Sequence, residues 1–123
     1  MAKQRAFIHI DLPQSGGDLI DEGLRRHTGS LTDGRGRAVR LPAHSQTEMF
    51  RAAVELRRDH RFWGVRRRDV EGSWATLCRR AIKNKDTVVF SHHLLAGCRS
   101  DAIALMVDQL PGCAVHVVIT VAA

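Results

Sequence analysis

Cysteine is scarce in this chain of 123 residues, and the little there is does not pair. Cys78, Cys98 and Cys113 are odd in number, far apart and without a CxxC spacing. That argues against a disulfide scaffold. A zinc site built from them with His92 and His93 would lack the paired spacing of structural zinc motifs. Free buried thiols, and no metal, are the expectation. Long apolar runs are missing too. The longest, residues 114–123, is interrupted by His116 and Thr120 and is too short to cross a bilayer. The opening Met1-Ala2-Lys3-Gln4-Arg5-Ala6 leads straight into a strand-like run without a signal-peptide core. A cytoplasmic chain without a membrane partner is expected. Lysine appears only at Lys3, Lys83 and Lys85, so arginine supplies the rest of the 19 basic residues. Against 13 acidic residues they leave a net charge of +6 and a pI near 10.2. That balance favours anionic partners: nucleotides, nucleic acid, or sulfated and phosphorylated ligands.

What is present is an ordinary globular composition, 44% hydrophobic and 26% charged, of a length that suits a single domain over residues 1–123. Phe7-Ile8-His9-Ile10 reads as a short buried strand, followed by a turn punctuated by Pro13, Gly16 and Gly17. A helix is expected over residues 18–27, capped by Asp18, with Leu19, Ile20 and Leu24 on its apolar side. Residues 29–40 hold three glycines and few apolar residues, and read as a mobile loop. Ser45 and Glu48 stand in the capping-box relation ahead of a helix that turns Met49, Phe50, Ala53, Val54 and Leu56 inward. A third helix, residues 72–84, carries the stripe Trp74, Leu77, Cys78, Ala81 and Ile82. Residues 87–91 are a second buried strand. A fourth helix follows Ser100, with Ile103, Met106, Val107 and Leu110 expected on its inner face and Pro111-Gly112 as its stop. Residues 114–121 are a third strand, so continuous in Val and Ile that both faces are expected to be covered.

Apolar strands alternating with helices imply a parallel sheet with right-handed crossovers. Ligands of such sheets bind beyond the carboxyl ends of the strands. Residues 11–18 and 92–99 lie there.

Three stretches then resemble one family. Phe7-Ile8-His9-Ile10-Asp11-Leu12-Pro13-Gln14-Ser15-Gly16-Gly17-Asp18 is similar to the opening of bacterial sulfotransferase-family proteins, roughly F-[IL]-H-[VI]-G-L-P-K-T-G-T-T. The stretch around Phe50-Arg51-Ala52-Ala53-Val54-Glu55-Leu56 and the pair Val88-Val89-Phe90-Ser91-His92-His93 and His116-Val117-Val118-Ile119-Thr120 follow in family order. The resemblance covers the N-terminal half of a usual family member. It implies a P-loop-like three-layer fold, here a truncated α/β domain with a three-stranded parallel sheet in the order 2-3-1 and flanking helices. Pro13, Gln14, Ser15, Gly16, Gly17 and Asp18 would form a phosphate loop. In the family that loop holds 3′-phosphoadenosine 5′-phosphosulfate (PAPS). The physics is general, since backbone N–H groups of a tight turn and a helix N-terminus make an anion site.

The loop departs from the family where charge matters. Gln14 replaces the lysine, Asp11 the first glycine, and Gly17 and Asp18 two threonines. Two like charges about 4 Å apart cost about 4 kcal/mol at an effective dielectric near 20. A carboxylate at Asp18 therefore opposes a phosphate. His93 stands where the family has a glutamate base, and His92 beside it; an imidazole can accept a hydroxyl proton. The family's later elements do not follow residue 120. The expectation is a sulfotransferase-like protein, inactive alone, with no cofactor unless PAPS binding survives. The alternative is a nucleic-acid or protein-interaction module. It would use Arg51, Arg57, Arg58, Arg61, Arg66, Arg67 and Arg68, with Phe62 and Trp63 interleaved, and bind nucleic acid at low salt. The order 2-3-1 also leaves the strand from Phe7 to Ile10 as an apolar edge, the expected route to a homo-oligomer or a partner chain.

Overall fold

The structure, a computed structural model, describes residues 3–11, 17–27 and 30–120. Four strands make one parallel sheet: β1 (Gln4–Asp11), β2 (Val39–Arg40), β3 (Thr87–Ser91) and β4 (Cys113–Thr120), side by side in the order β2-β3-β1-β4. The helices are α1 (Gly17–Arg26), α2 (Gln46–Arg57), α3 (Arg67–Val70), α4 (Ser73–Asn84) and α5 (Ser100–Asp108), with a 3₁₀ turn at His93–Gly97. Among the described residues no helix is long and apolar enough to cross a membrane.

The α/β class and the parallel pairing agree with the sequence, but the sheet differs from the expected one in two ways. It has a fourth strand, the two-residue β2, paired with β3 at Val39 opposite Thr87 and Arg40 opposite Val88. The expected 2-3-1 order with an edge at Phe7–Ile10 does not hold. β1 is interior, with Ala6–His9 paired to Val88–Ser91 on one side and Gln4–Asp11 to Cys113–Thr120 on the other. A strand hydrogen-bonded on both sides offers no free backbone to a partner, so the expected oligomer edge is not at β1. The edge is β4. It is not covered on both faces: Val117 is 57% exposed and Ile119 58%. A largely apolar sequence did not bury this strand, because an edge strand is covered only where helices reach it.

Alternation along β1 divides the layers. Ala6 and Ile8 face the core with Val88 and Phe90 of β3, under α2, α4 and α5. The opposite set, Arg5, Phe7 and His9, meets His116 of β4, whose ring stacks on Phe7 at 5.1 Å, while Arg5 lies over the same phenyl ring at 5.6 Å. The helices start where local chemistry says they should. Ser45 Oγ accepts from the Glu48 N–H at 3.2 Å, and Glu48 accepts from the His44 N–H at 2.7 Å. In α4 the stripe Trp74, Leu77, Cys78 and Ala81 is buried and Ile82 sits at its rim. Burial pushes the Cys78 thiol up to about 12, the behaviour of an inert core cysteine. α1 begins at Gly17, which puts Asp18 inside its first turn instead of at its cap. In α5 the inner face is Ala102 and Met106, with Leu110 beyond its end; Ile103 is 48% exposed and Val107 is exposed too. Met106 and Leu110 are buried as expected, whereas Ile103 and Val107 lie on the side of the helix turned to solvent.

The segment read as a mobile loop is anchored. Thr32 bridges Ala38 ahead of β2. Asp33 accepts from Thr87 Oγ1 at 2.5 Å, pairs with Arg5 at 2.6 Å, and also accepts the Arg35 and Arg37 N–H groups. Thr87, then Arg5, hold its carboxyl well below the usual carboxylate range. Because the folded state lowers this pKa, the stabilisation is complete at neutral pH and drains away as pH falls below the unfolded value near 4. Asp33→Asn is therefore expected to lower the melting temperature at pH 7 and to flatten its fall between pH 5 and pH 3. Melting curves of both proteins across that range check it.

Candidate functional site

The geometry of the sheet picks out one place. The chain leaves β1 through α1 toward β2 at one side, and leaves β3 through α5 toward β4 at the other. Neighbouring strands whose connections part in this way open a crevice at their carboxyl ends, the usual ligand position in open α/β sheets. Here those two strands are β1 and β3.

Of the expected phosphate loop, Pro13, Gln14, Ser15 and Gly16 lie outside the described residues. Gly17 and Asp18 are the first two residues of α1. Asp11 ends the central strand β1 and Gly17 begins α1.

His92 and His93 follow the carboxyl end of β3, the neighbour of β1. The His92 N–H donates to the His9 carbonyl at 3.3 Å, extending the β1–β3 ladder by one rung. The two imidazoles stack at 4.6 Å, and Phe50 of α2 lies 6.1 Å from the His92 ring. Their surroundings differ. His92 is buried, and its Nδ1 accepts from the Leu94 N–H at 3.1 Å, capping the 3₁₀ turn. His93 is exposed. Of the two expected catalytic residues, His93 is the one open to a substrate, and His92 shapes the turn that presents it.

The turn is held from the helix side by Arg57. Its guanidinium donates to the Leu94 carbonyl at 3.1 Å and pairs with Asp59 at 2.9 Å. It also lies so close to Gly97 that a Cβ there would stand 2.5 Å from Nη1. The glycine is what lets the cation cross the turn.

Beneath the crevice lie residues the sequence reading placed only as strand interior. His9 Nδ1 is 2.6 Å from Ser91 Oγ and His9 Nε2 is 2.5 Å from Thr120 Oγ1. A hydroxyl–imidazole–hydroxyl chain thus runs across β3, β1 and β4 just below their carboxyl ends. In the neutral ring one nitrogen donates and the other accepts, and hydroxyls do either, so both contacts are satisfied in either tautomer. Nucleophile-and-base geometry is formally present at Ser91 and His9. Both are buried, however, so the chain ties the strand ends together under the site and does not meet a substrate itself. The one sequence signal for it is parity: His9 is the polar member of an apolar strand and shares a face with Arg5 and Phe7.

Elsewhere the expected features are dispersed. Cys78 is buried in α4, Cys98 and Cys113 are half-buried, and burial raises all three thiols. Among the described residues no group of three or more His, Cys, Asp or Glu could hold a metal ion. In the basic stretch, four of the seven arginines are in ion pairs within the chain: Arg57 with Asp59, Arg58 with Asp101, Arg66 with Asp69 and Arg67 with Glu71. Phe62 is 79% exposed, edge-on to Trp63, which in turn meets Phe50 edge-on. No family model matches this chain, and neither a curated protein nor a solved structure does.

Proposed function

We propose that this chain is a sulfotransferase-like α/β protein, catalytically inactive alone, whose remnant anion site lies at the carboxyl ends of β1 and β3. The observation that supports the reading is the His-His pair at the carboxyl end of β3, next to the end of the central strand β1, after which the sequence continues Leu12-Pro13-Gln14-Ser15-Gly16. Inactivity follows from residue chemistry. Gln14 brings no cation to the loop, and Asp18 adds a carboxylate in the first turn of α1, where a phosphate would otherwise meet the positive end of the helix. His93 is the open candidate base, with no carboxylate in its place.

Adenosine 3′,5′-bisphosphate is therefore expected to bind weakly or not at all in a calorimetric titration. The double change Gln14→Lys with Asp18→Thr exchanges a neutral group for a cation and removes an anion. It is expected to raise affinity by about tenfold or more, since a charge-assisted hydrogen bond contributes about 1.5–3 kcal/mol. Tight, salt-sensitive binding by the unaltered chain would contradict the reading.

The runner-up is nucleic-acid binding through residues 51–68. The exposed Phe62 favours it, as do Arg51, Arg61 and Arg68, which are exposed as well. It ranks second because Arg57 and Arg66 are closely paired within the stretch, with Asp59 at 2.9 Å and Asp69 at 3.2 Å, and no nucleic-acid-binding signature accompanies it.

A further inference from the structure

A second concave site lies away from the strand ends, between α2, α3, α4 and α5. It is a cavity of about 590 Å³, within the range that small-molecule sites occupy. Buried Leu56, Val70 and Trp74 form its apolar floor. Arg58, His60 and Arg67 stand on its wall.

The charges are arranged unequally. Glu55 and Glu71 line the cavity as well, and they differ: Glu71 is mostly in water as the loose partner of Arg67, whereas both carboxylate oxygens of Glu55 are engaged by the start of α4, Oε2 accepting the Gly72 N–H at 2.6 Å and Oε1 the Trp74 N–H at 2.9 Å. That carboxylate serves as the cap α4 otherwise lacks, since Gly72 has no side chain to offer. The two arginines are only loosely held. Arg58 stands 3.8 Å from Asp101 and Arg67 3.8 Å from Glu71, and in both pairs most of each side chain is in water. Exposed pairs of this kind contribute about 0–1 kcal/mol, so an incoming anion displaces them at little cost.

Arg58 adds a second indication. It closes α2 in the left-handed region, φ 58° and ψ 32°, where glycine is the usual occupant. A large cationic residue there meets a backbone cost that glycine would not, and it places a guanidinium at the mouth of the cavity.

We infer that this cavity binds a small organic anion, an apolar body on Leu56, Val70 and Trp74 with a carboxylate or phosphate head between Arg58 and Arg67. The site is independent of the strand-end loop and stands or falls separately from it.

The test titrates the full chain with 1-naphthyl phosphate, 1-naphthoate and the neutral 1-naphthol. One-to-one binding of at least one anion, tighter than the alcohol, is expected; comparing the two anions identifies the preferred head group. Arg58→Gly suits the left-handed cap, so it is expected to keep or raise the melting temperature while weakening anion binding about tenfold or more. Arg67→Gln is expected to weaken it similarly, and Ser15→Ala, in the strand-end loop, to leave it unchanged. Absence of anion binding, or affinity equal to that of the alcohol, would overturn the inference. So would binding that survives both arginine substitutions, or that falls with Ser15→Ala instead.

Discussion

Phe90→Ala is expected to lower the unfolding free energy by about 3–5 kcal/mol, the usual cost of emptying a core aromatic position. Phe90 is completely buried on β3, and its ring lies 4.6 Å from that of Trp74. It lies in the core between the sheet and α4. Domains of this size hold about 5–15 kcal/mol in all. The variant is therefore expected to lose a large part of its stability and to melt far lower. Because Trp74 also floors the cavity between the helices, the same change should loosen that site, whereas Phe90→Leu should cost much less. Urea unfolding followed by circular dichroism measures both, and a loss below about 1 kcal/mol for Phe90→Ala would show that the core repacks around the gap.

His9→Leu is expected to cost about 2–3 kcal/mol, although it exchanges a polar buried residue for an apolar one of similar size. The imidazole meets Ser91 Oγ on one side and Thr120 Oγ1 on the other, and Ser91 is buried. Deleting one member of a buried pair leaves the other without that hydrogen bond, at a cost of about 1–3 kcal/mol. Removing both partners is cheaper than the two single changes suggest. Comparing His9→Leu, Ser91→Ala and the double variant should give a coupling energy of about 0.5–3 kcal/mol. Strict additivity would mean that the chain across the strand ends contributes nothing as a unit. His93→Ala serves as the contrast: its side chain is exposed, so its effect on stability should stay within about 0.5 kcal/mol.

Several elements were legible because their causes are local. The Ser45–Glu48 signal spans only four residues, and α2 begins at it. The spacing of Trp74, Leu77, Cys78 and Ala81 specifies one face of one helix, and that face is buried whichever partner covers it. The His-His pair was recognisable as a strand-end feature, and it does follow the carboxyl end of β3. What was misjudged had a non-local cause each time. Val117 and Ile119 read as core, yet burial of an apolar strand depends on which elements reach its side of the sheet. Ile103 and Val107 read as an inner face, yet they lie on the side of the helix turned to solvent. Asp33 sat in a glycine-rich stretch and gave no sign of holding Arg5 and Thr87, since the three lie on segments far apart in the chain.

The sequence by itself determined the alternation of strands and helices, the parallel class of the sheet and the candidate residues at the strand ends, because helix caps, apolar periodicity and turn residues act over a few positions. Only the tertiary structure decided that β1 is central and β4 the edge, that His92 is buried and His93 exposed, that His9 joins Ser91 to Thr120, and that Arg58 and Arg67 share a cavity with Trp74. Each of these depends on which distant segments come together, and pairing across a sheet or between helices is a property of the packed chain that no short stretch of it contains.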